Sequence, residues 1–351
     1  MNQTHFLGYI GTYTKGDSEG IYSFSLDTNS GKITSVKPAA QLENPTYVNL
    51  SDDEKFLFSV AKEGGLGGVA SFSINKQTGG LTKINQQLTE GAAPCHVSIN
   101  KENQTVLTAN YHKGTLEAYT LNQETGVINA TTAVAQHEGT GPDPRQEKAH
   151  THFASFTPDE KFIVAVELGI DQIFTYMLTQ EGFTKVGSLA VKPGSGPRHL
   201  AFHPNQRFAY VMTEFSSEVL VLQYDANTGQ FMQIQALSTL PADFTENNQG
   251  SAIHVSNDGK FVYAGNRGHN SIAVFEIDEE TNLLSRVELV STEGDWPRDF
   301  ALDPSESFIV AANQESSNLT VFSRDHQTGK LSLLQANVKV PHPVCVKFLR
   351  K

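Results

Sequence analysis

The sequence predicts an all-β fold, a seven-bladed β-propeller built from four-stranded blades. Two observations carry this. A short turn bearing Gly or Asn is written seven times, as TNSGKI (28–33), KQTGGL (76–81), QETGVI (123–128), TQEGF (179–183), ANTGQF (226–231), EETNLL (279–284) and HQTGKL (326–331). Each lies between two apolar alternating runs, so each reads as a hairpin loop whose Gly or Asn supplies the positive φ of a tight turn. From Gly31 to Gly79, Gly126, Gly182, Gly229, Asn282 and Gly329 the steps are 48, 47, 56, 47, 53 and 47 residues, the period of a propeller blade.

The second observation is the strand that opens each blade. Some 15 to 20 residues after a turn comes a run usually begun by proline and closed by a small polar turn: NPTYVNLSDDEKF (44–56), APCHVSINKENQT (93–105), HTHFASFTPDEKF (150–162), GPRHLAFHPNQRF (196–208), GSAIHVSNDGKF (250–261) and WPRDFALDPSESF (296–308). HPVCVKFL (342–349) repeats the pattern and stops. At the other end, HFLGYIGTYT (5–14) matches a second strand such as KFVYAGNRG (260–268), with no opening strand before it. The last strand is therefore expected to complete the first blade, pairing edges that an open ring would expose. One domain, 1–351, almost without helix, is expected.

Composition sets bounds on function. A net charge of −12 and a pI near 5.4 argue against a nucleic-acid surface. With no apolar run of 18 residues and no basic, apolar leader, neither a membrane span nor a secretory signal is expected, and the protein is expected to be cytoplasmic. Cys95 and Cys345 begin strands of blades that are not neighbours, so no disulfide is expected between them.

The repeat also acts as a ruler, because equivalent residues of different blades converge at the channel. Aligning the opening strands places Thr46, Cys95, His152, Arg198, Ser251, Arg298 and Val344 in one ring. Aligning the second strands on Phe6, Phe56, Phe162, Phe208, Phe261 and Phe308 places Thr12, Lys62, Tyr111, Leu168, Glu214, Arg267 and Gln314 in another, with Asn110, Glu167, Asn266 and Asn313 one position earlier. One ring marks strand beginnings and the other the ends of their antiparallel partners, so both belong at the same mouth. Three arginines, a lysine, a histidine and a glutamate gather there in a chain only 18% charged. Crowded cations attract an anion despite an acidic whole, and arginine offers carboxylate or phosphate two parallel bonds. The imidazole and carboxylate add proton-transfer groups. An anionic small molecule is the implied ligand.

Plainer readings stand beside this one. Arg198, Glu214 and Arg267 form an ion-pair plug under the structural reading, and Lys62 a solvated side chain. His150 and His152, two apart, face the same way on one strand, which raises a metal site with Glu167 as third ligand; two histidines alone support it weakly. His199, next to Arg198, is expected to point away into an interface between blades.

GPRHLAFHPNQRFAYVMTE (196–214), HTHFASFTPDEKFIV (150–164), DGKFVYAGNRGHNSIAVFEI (258–277) and WPRDFALDP (296–304) resemble the propeller-type lactonases, the family of the bacterial 6-phosphogluconolactonases and the fungal carboxymuconate lactonizing enzyme. The likeness runs along essentially the whole chain, and its most specific part is Pro-Arg-His followed by Glu214. What the resemblance implies is an enzyme without metal or cofactor that hydrolyses 6-phospho-D-glucono-1,5-lactone, a pentose phosphate step. It carries catalytic roles onto His152, with His150 as rival, Arg198, Glu214 and Arg267.

Joined to that resemblance, the residues suggest Glu214 or His152 as base on water, the other as acid, and Arg198 and Arg267 at the anion. Lys62, Arg298, His150, Glu167 and Asn266 are the expected substrate-binding residues. The loops GTGPDPRQEK (139–148) and PADFTENNQG (241–250) account for the two long steps and are expected to build up the same mouth. Two alternatives remain open: a lactonase or cycloisomerase acting on a carboxymuconate-like dicarboxylate, and a non-catalytic interaction platform.

Overall fold

All seven turns close hairpins between the third and fourth strands of blades in the computed structural model, which describes residues 4–350. The turn residue has positive φ in every copy, from 58° at Asn282 and 69° at Gly329 to 114° at Gly182. An aspartate or asparagine four residues earlier organises most of them. Asp325, for example, accepts the amides of Thr328 at 2.8 Å through Oδ1 and of Gly329 at 2.8 Å through its carbonyl. Such side-chain caps are why these residues favour turns.

Among the described residues, twenty-eight strands form seven antiparallel sheets of four. Blades 2 to 7 span 48–90, 96–136, 151–190, 197–238, 249–291 and 297–339, and blade 1 combines 5–41 with the C-terminal strand Pro343–Phe348. That strand pairs with His5–Thr12, from Gly8 against Phe348 to Thr12 against Pro343. The ring therefore closes by pairing the two ends of the chain.

The core lies between blades. Cluster after cluster joins consecutive sheets, such as Tyr210, Met212 and Val221 of blade 5 with Val262, Ala264 and Phe275 of blade 6. Strand burial follows from this stacking. Second strands are buried on both faces, as in Phe208–Thr213 and Phe308–Asn313, whereas fourth strands such as Gln230–Ser238 expose alternate residues at the rim. Tyr9, Tyr119, Tyr210 and Tyr263, all fully buried, fill the spaces nearer the middle of the sheets. Cys95 and Cys345 are free thiols.

One feature of the first strands decides what the channel contains. In five blades the pairing skips a residue: Val344, His152, Arg198 and Arg298 each stand unpaired between two paired neighbours, and Ser251 and Ala252 together face one residue in blade 6. These are β-bulges, which bend the strand and re-aim side chains. The ring read from the sequence is thus largely a ring of bulges.

Candidate active site

The two rings meet at a cavity of about 460 Å³ at one mouth of the channel, lined among others by His152, Glu214, Arg267, Arg298, Lys62 and Tyr111. At its centre one carboxylate oxygen serves two arginines. Glu214 Oε2 accepts from Arg198 Nε at 3.1 Å and from Arg267 Nη2 at 2.7 Å. Backbone carbonyls take up more of the guanidinium protons, Ser251 O from Arg198 Nη1 at 2.8 Å and Gly250 O from Arg267 Nη2 at 2.7 Å. All three side chains are buried. Burial works against ionising Glu214, but the charges of Arg267 and Arg198 outweigh it and hold the carboxyl below its ordinary pKa. Burial, with Arg267 and Arg298 nearby, pulls Arg198 down to about 9, which leaves it charged at neutral pH.

Arg267 and Arg298 both line the cavity, and they differ in how they are held. Arg267 Nε is closed to solvent and has no hydrogen-bond partner among the described residues. Arg298 has no ion pair among the described residues and packs over Tyr13, 5.5 Å from the ring centre. Lys62, in contrast, is half-exposed and paired with Glu43 at 3.0 Å.

His152 supplies a different group. Burial, reinforced by Arg198, Arg298 and Arg267, pushes its pKa well below the ordinary histidine value, so the imidazole is neutral at pH 7. Its Nδ1 is closed to solvent and has no hydrogen-bond partner among the described residues. A neutral imidazole has a lone pair free to accept a proton, whereas the Glu214 carboxylate is held by two arginine donors. Cys95, in the same wall, is no nucleophile, since burial pushes its thiol up to about 12.

Several expectations for individual residues are corrected by placement. His150 and His152 do not share a direction, because the bulge falls between Thr151 and Phe153. His150 stacks on Tyr111 at 4.0 Å and binds Tyr111 O and Glu147 through its two nitrogens, away from the cavity. Glu167 is fully buried, with oxygens taken by the amides of His150 and Gly169, Thr151 Oγ1 and His137 Nδ1. It therefore neither lines the cavity nor joins the two histidines as a metal ligand, and no group of three or more His, Cys, Asp or Glu among the described residues is arranged to hold a metal. Asn266 is likewise occupied, its amide bonding Thr239 and Ser271. His199 lies under the site in the channel, 5.1 Å from His152, 5.6 Å from His96 and 5.9 Å from Tyr47 between ring centres. The bulge at Arg198 turns its successor inwards as well.

Residues that the alignment passed over complete the site. Gln249 and Arg145 come from the two long loops. In the amide orientation that satisfies both neighbours, Gln249 donates to Glu214 Oε1 at 3.3 Å and accepts from Arg145 Nη1 at 3.1 Å. Arg145 stacks on Phe215 with its guanidinium carbon 3.8 Å from the ring centre. Trp296 backs Arg267 at 5.6 Å. Loop length was the signal for the first two, and adjacency to Arg298 for the third.

Fold and site together define a propeller enzyme whose channel mouth combines an anion-binding arginine cluster with a neutral imidazole. Over residues 7–348 the chain matches the family described as lactonase, seven-bladed β-propeller, and it belongs to that family. It is 53% identical to the 6-phosphogluconolactonase of Bacillus subtilis (strain 168) over 348 residues, 99% of each chain. A solved structure from Lactobacillus plantarum superposes with a TM-score of 0.94 at 41% identity, over 98% of this chain and 99% of that one. The periplasmic gluconolactonase PpgL of Pseudomonas aeruginosa does so with 0.93 at 31%, with the same coverage.

Proposed function

We propose that this chain hydrolyses 6-phospho-D-glucono-1,5-lactone to 6-phosphogluconate, at the cavity between His152, Glu214, Arg267 and Arg298. The observation that carries the reading is the meeting of a neutral imidazole with Arg267 and with Arg298, which has no ion pair among the described residues, in one concave, cationic site. The name of the B. subtilis relative supports the choice of lactone.

His152 takes a proton from water as the oxygen attacks the lactone carbonyl. The tetrahedral oxyanion forms against Arg267 and Arg298, with Arg198 behind them; fixed donors of this kind are worth roughly 3–4 kcal/mol each. As the bond from the carbonyl carbon to the ring oxygen breaks, His152 returns the proton to that oxygen. The product acid then ionises. Glu214, already charged and doubly bonded, holds the arginines in place instead of moving protons. Lys62 holds the phosphate at the rim.

Turnover of three substrates tests this: 6-phosphogluconolactone, unphosphorylated gluconolactone and a carboxymuconate lactone. Hydrolysis of the phosphorylated compound well above its spontaneous rate is expected. Absence of any acceleration overturns the reading. Preference for gluconolactone, the substrate class in the name of the P. aeruginosa neighbour, would move the phosphate out of the assignment and keep the chemistry.

A further inference from the structure

Blade 4 holds its second strand differently from blades 3, 6 and 7. In blades 3, 6 and 7 an asparagine one residue before the channel ring ties the strand to the segment that enters the blade. Asn110, Asn266 and Asn313 donate through Nδ2 to the carbonyls of Ala92, Thr239 and Thr292, at 2.8, 3.1 and 3.1 Å. The residue at this position in blade 4 is Glu167, and the residue answering Thr239 and Thr292 is His137. Their side chains meet at 3.1 Å, Nδ1 to Oε2, and Tyr176 Oη lies 2.9 Å from the other imidazole nitrogen.

A buried carboxylate is a costly replacement for an amide, because it must be surrounded by donors. Glu167 is fully buried and His137 nearly so. The donors that Glu167 collects show what the change achieves. Beyond His137, they are the amide of His150, the amide of Gly169 at 2.9 Å and Thr151 Oγ1 at 2.8 Å. His150 and Thr151 are the two residues that lead into the bulge at His152. An asparagine there has one acceptor oxygen, and its amide nitrogen has no use for an N–H or O–H donor. Only a carboxylate accepts from all four groups. The one blade with this charged clamp is the one whose bulge presents the imidazole.

We infer that Glu167 and His137 form a positioning pair for His152, fixing the chain that enters the bulge so that the imidazole faces the cavity. Neither residue reaches the cavity, so their effect passes through backbone placement. The inference rests on the reading of His152 as the general base.

The test transplants the clamp of blades 6 and 7. The double variant His137→Thr with Glu167→Asn recreates the Thr–Asn pairs of blades 6 and 7. It is expected to unfold within a few degrees of wild type and to keep KM within about twofold, with kcat lower by about 10- to 100-fold, the usual range for misplacing a catalytic group. Glu167→Gln, a smaller perturbation, should lose less kcat and shift the His152 imidazole resonances in an NMR spectrum of histidine-labelled protein. A folded double variant with wild-type kcat overturns the inference. If the double variant does not fold, Glu167→Gln decides: a lowered melting temperature with unchanged kcat and unchanged His152 resonances assigns the pair to stability alone and overturns it too. His152→Asn separates the two levels. Full activity in that variant removes the base assignment itself, while an inactive His152→Asn beside a fully active double variant removes only the positioning role.

Discussion

Arg267 donates to Glu214 across the boundary between blades 5 and 6, Nη2 to Oε2 at 2.7 Å, and Arg198 reaches the same oxygen from within blade 5 at 3.1 Å. One negative charge thus keeps two buried cations from repelling each other. Removing one partner of a buried pair costs about 3–5 kcal/mol, because the others stay behind uncompensated. Glu214→Gln is therefore expected to lower the melting temperature clearly and to reduce kcat by about two orders of magnitude or more. Thermal unfolding and turnover check this together; a variant with wild-type values for both rejects the role. Since the folded pKa of Glu214 is lowered, its contribution is complete above the ordinary carboxylate value near about 4.3 and is lost only as pH falls from there towards the folded value.

The buried histidines in and under the site give a second pH dependence at higher pH. His96, His152 and His199 are all buried, and burial, with Arg198 contributing at each, pushes all three pKa values well below the ordinary one. The unfolded chain binds protons on them below about pH 6.5, while the native chain binds them only at lower pH. Stability is therefore full above pH 6.5 and declines as pH falls towards the folded values, by about 1.4 kcal/mol per pH unit for each histidine. Denaturant unfolding between pH 5 and 7 should show this slope, and His199→Gln should reduce it by about one proton. An unchanged slope in that variant would exclude His199 from the linkage. Activity follows the same direction, holding through pH 6.5 and failing only where His152 itself is protonated.

Arg298 differs from its two neighbours in having no carboxylate to hold among the described residues. Its loss should leave stability nearly unchanged, since it leaves no buried charge behind, yet remove a donor from the anion. Arg298→Met is expected to reduce kcat/KM by about 100-fold with a melting temperature close to wild type. Arg267→Met, which breaks the bond to Glu214, should lower both. The contrast between the two melting temperatures is the measurement; equal losses would mean that Arg298 is as structural as Arg267.

What was legible in the sequence follows from what each feature requires of the backbone. Positive φ restricts residue choice, so the seven turns were visible and fixed the blades. Register then carried His152, Arg198, Glu214, Arg267 and Arg298 to one mouth. Bulges leave no such mark, because any residue can stand unpaired in a strand. For that reason the strict alternation assumed for His150 and for His199 gave the wrong directions. Glu167 and Asn266 were misplaced for a related cause, since a polar residue at a strand end can face the channel or tie down the preceding segment. Arg145 and Gln249 lie on loops whose length was readable but whose path was not.

The turn glycines carry a second constraint, and it yields the last prediction. At Gly329, φ is 69°, a conformation that disfavours side chains, and a Cβ placed there would lie 2.3 Å from Cδ1 of Phe261 in the neighbouring blade. Gly126 stands in the same relation to Phe56, at 2.5 Å. The phenylalanine that begins a second strand and the glycine of the next blade's turn are thus two halves of one interface. Gly64, with φ of 56° and open space within 4 Å of where a Cβ would stand, separates the two effects. Gly64→Ala should cost only the left-handed backbone penalty, about 1–2 kcal/mol. Gly329→Ala should cost that and a further 1–3 kcal/mol, roughly, for overpacking. Because Phe261 also lies beneath the guanidinium of Arg324, 5.5 Å away, the ring has little room to yield. Phe261→Leu combined with Gly329→Ala should recover part of the extra loss. Equal destabilisation by the two single variants would show that backbone conformation alone selects glycine in these turns.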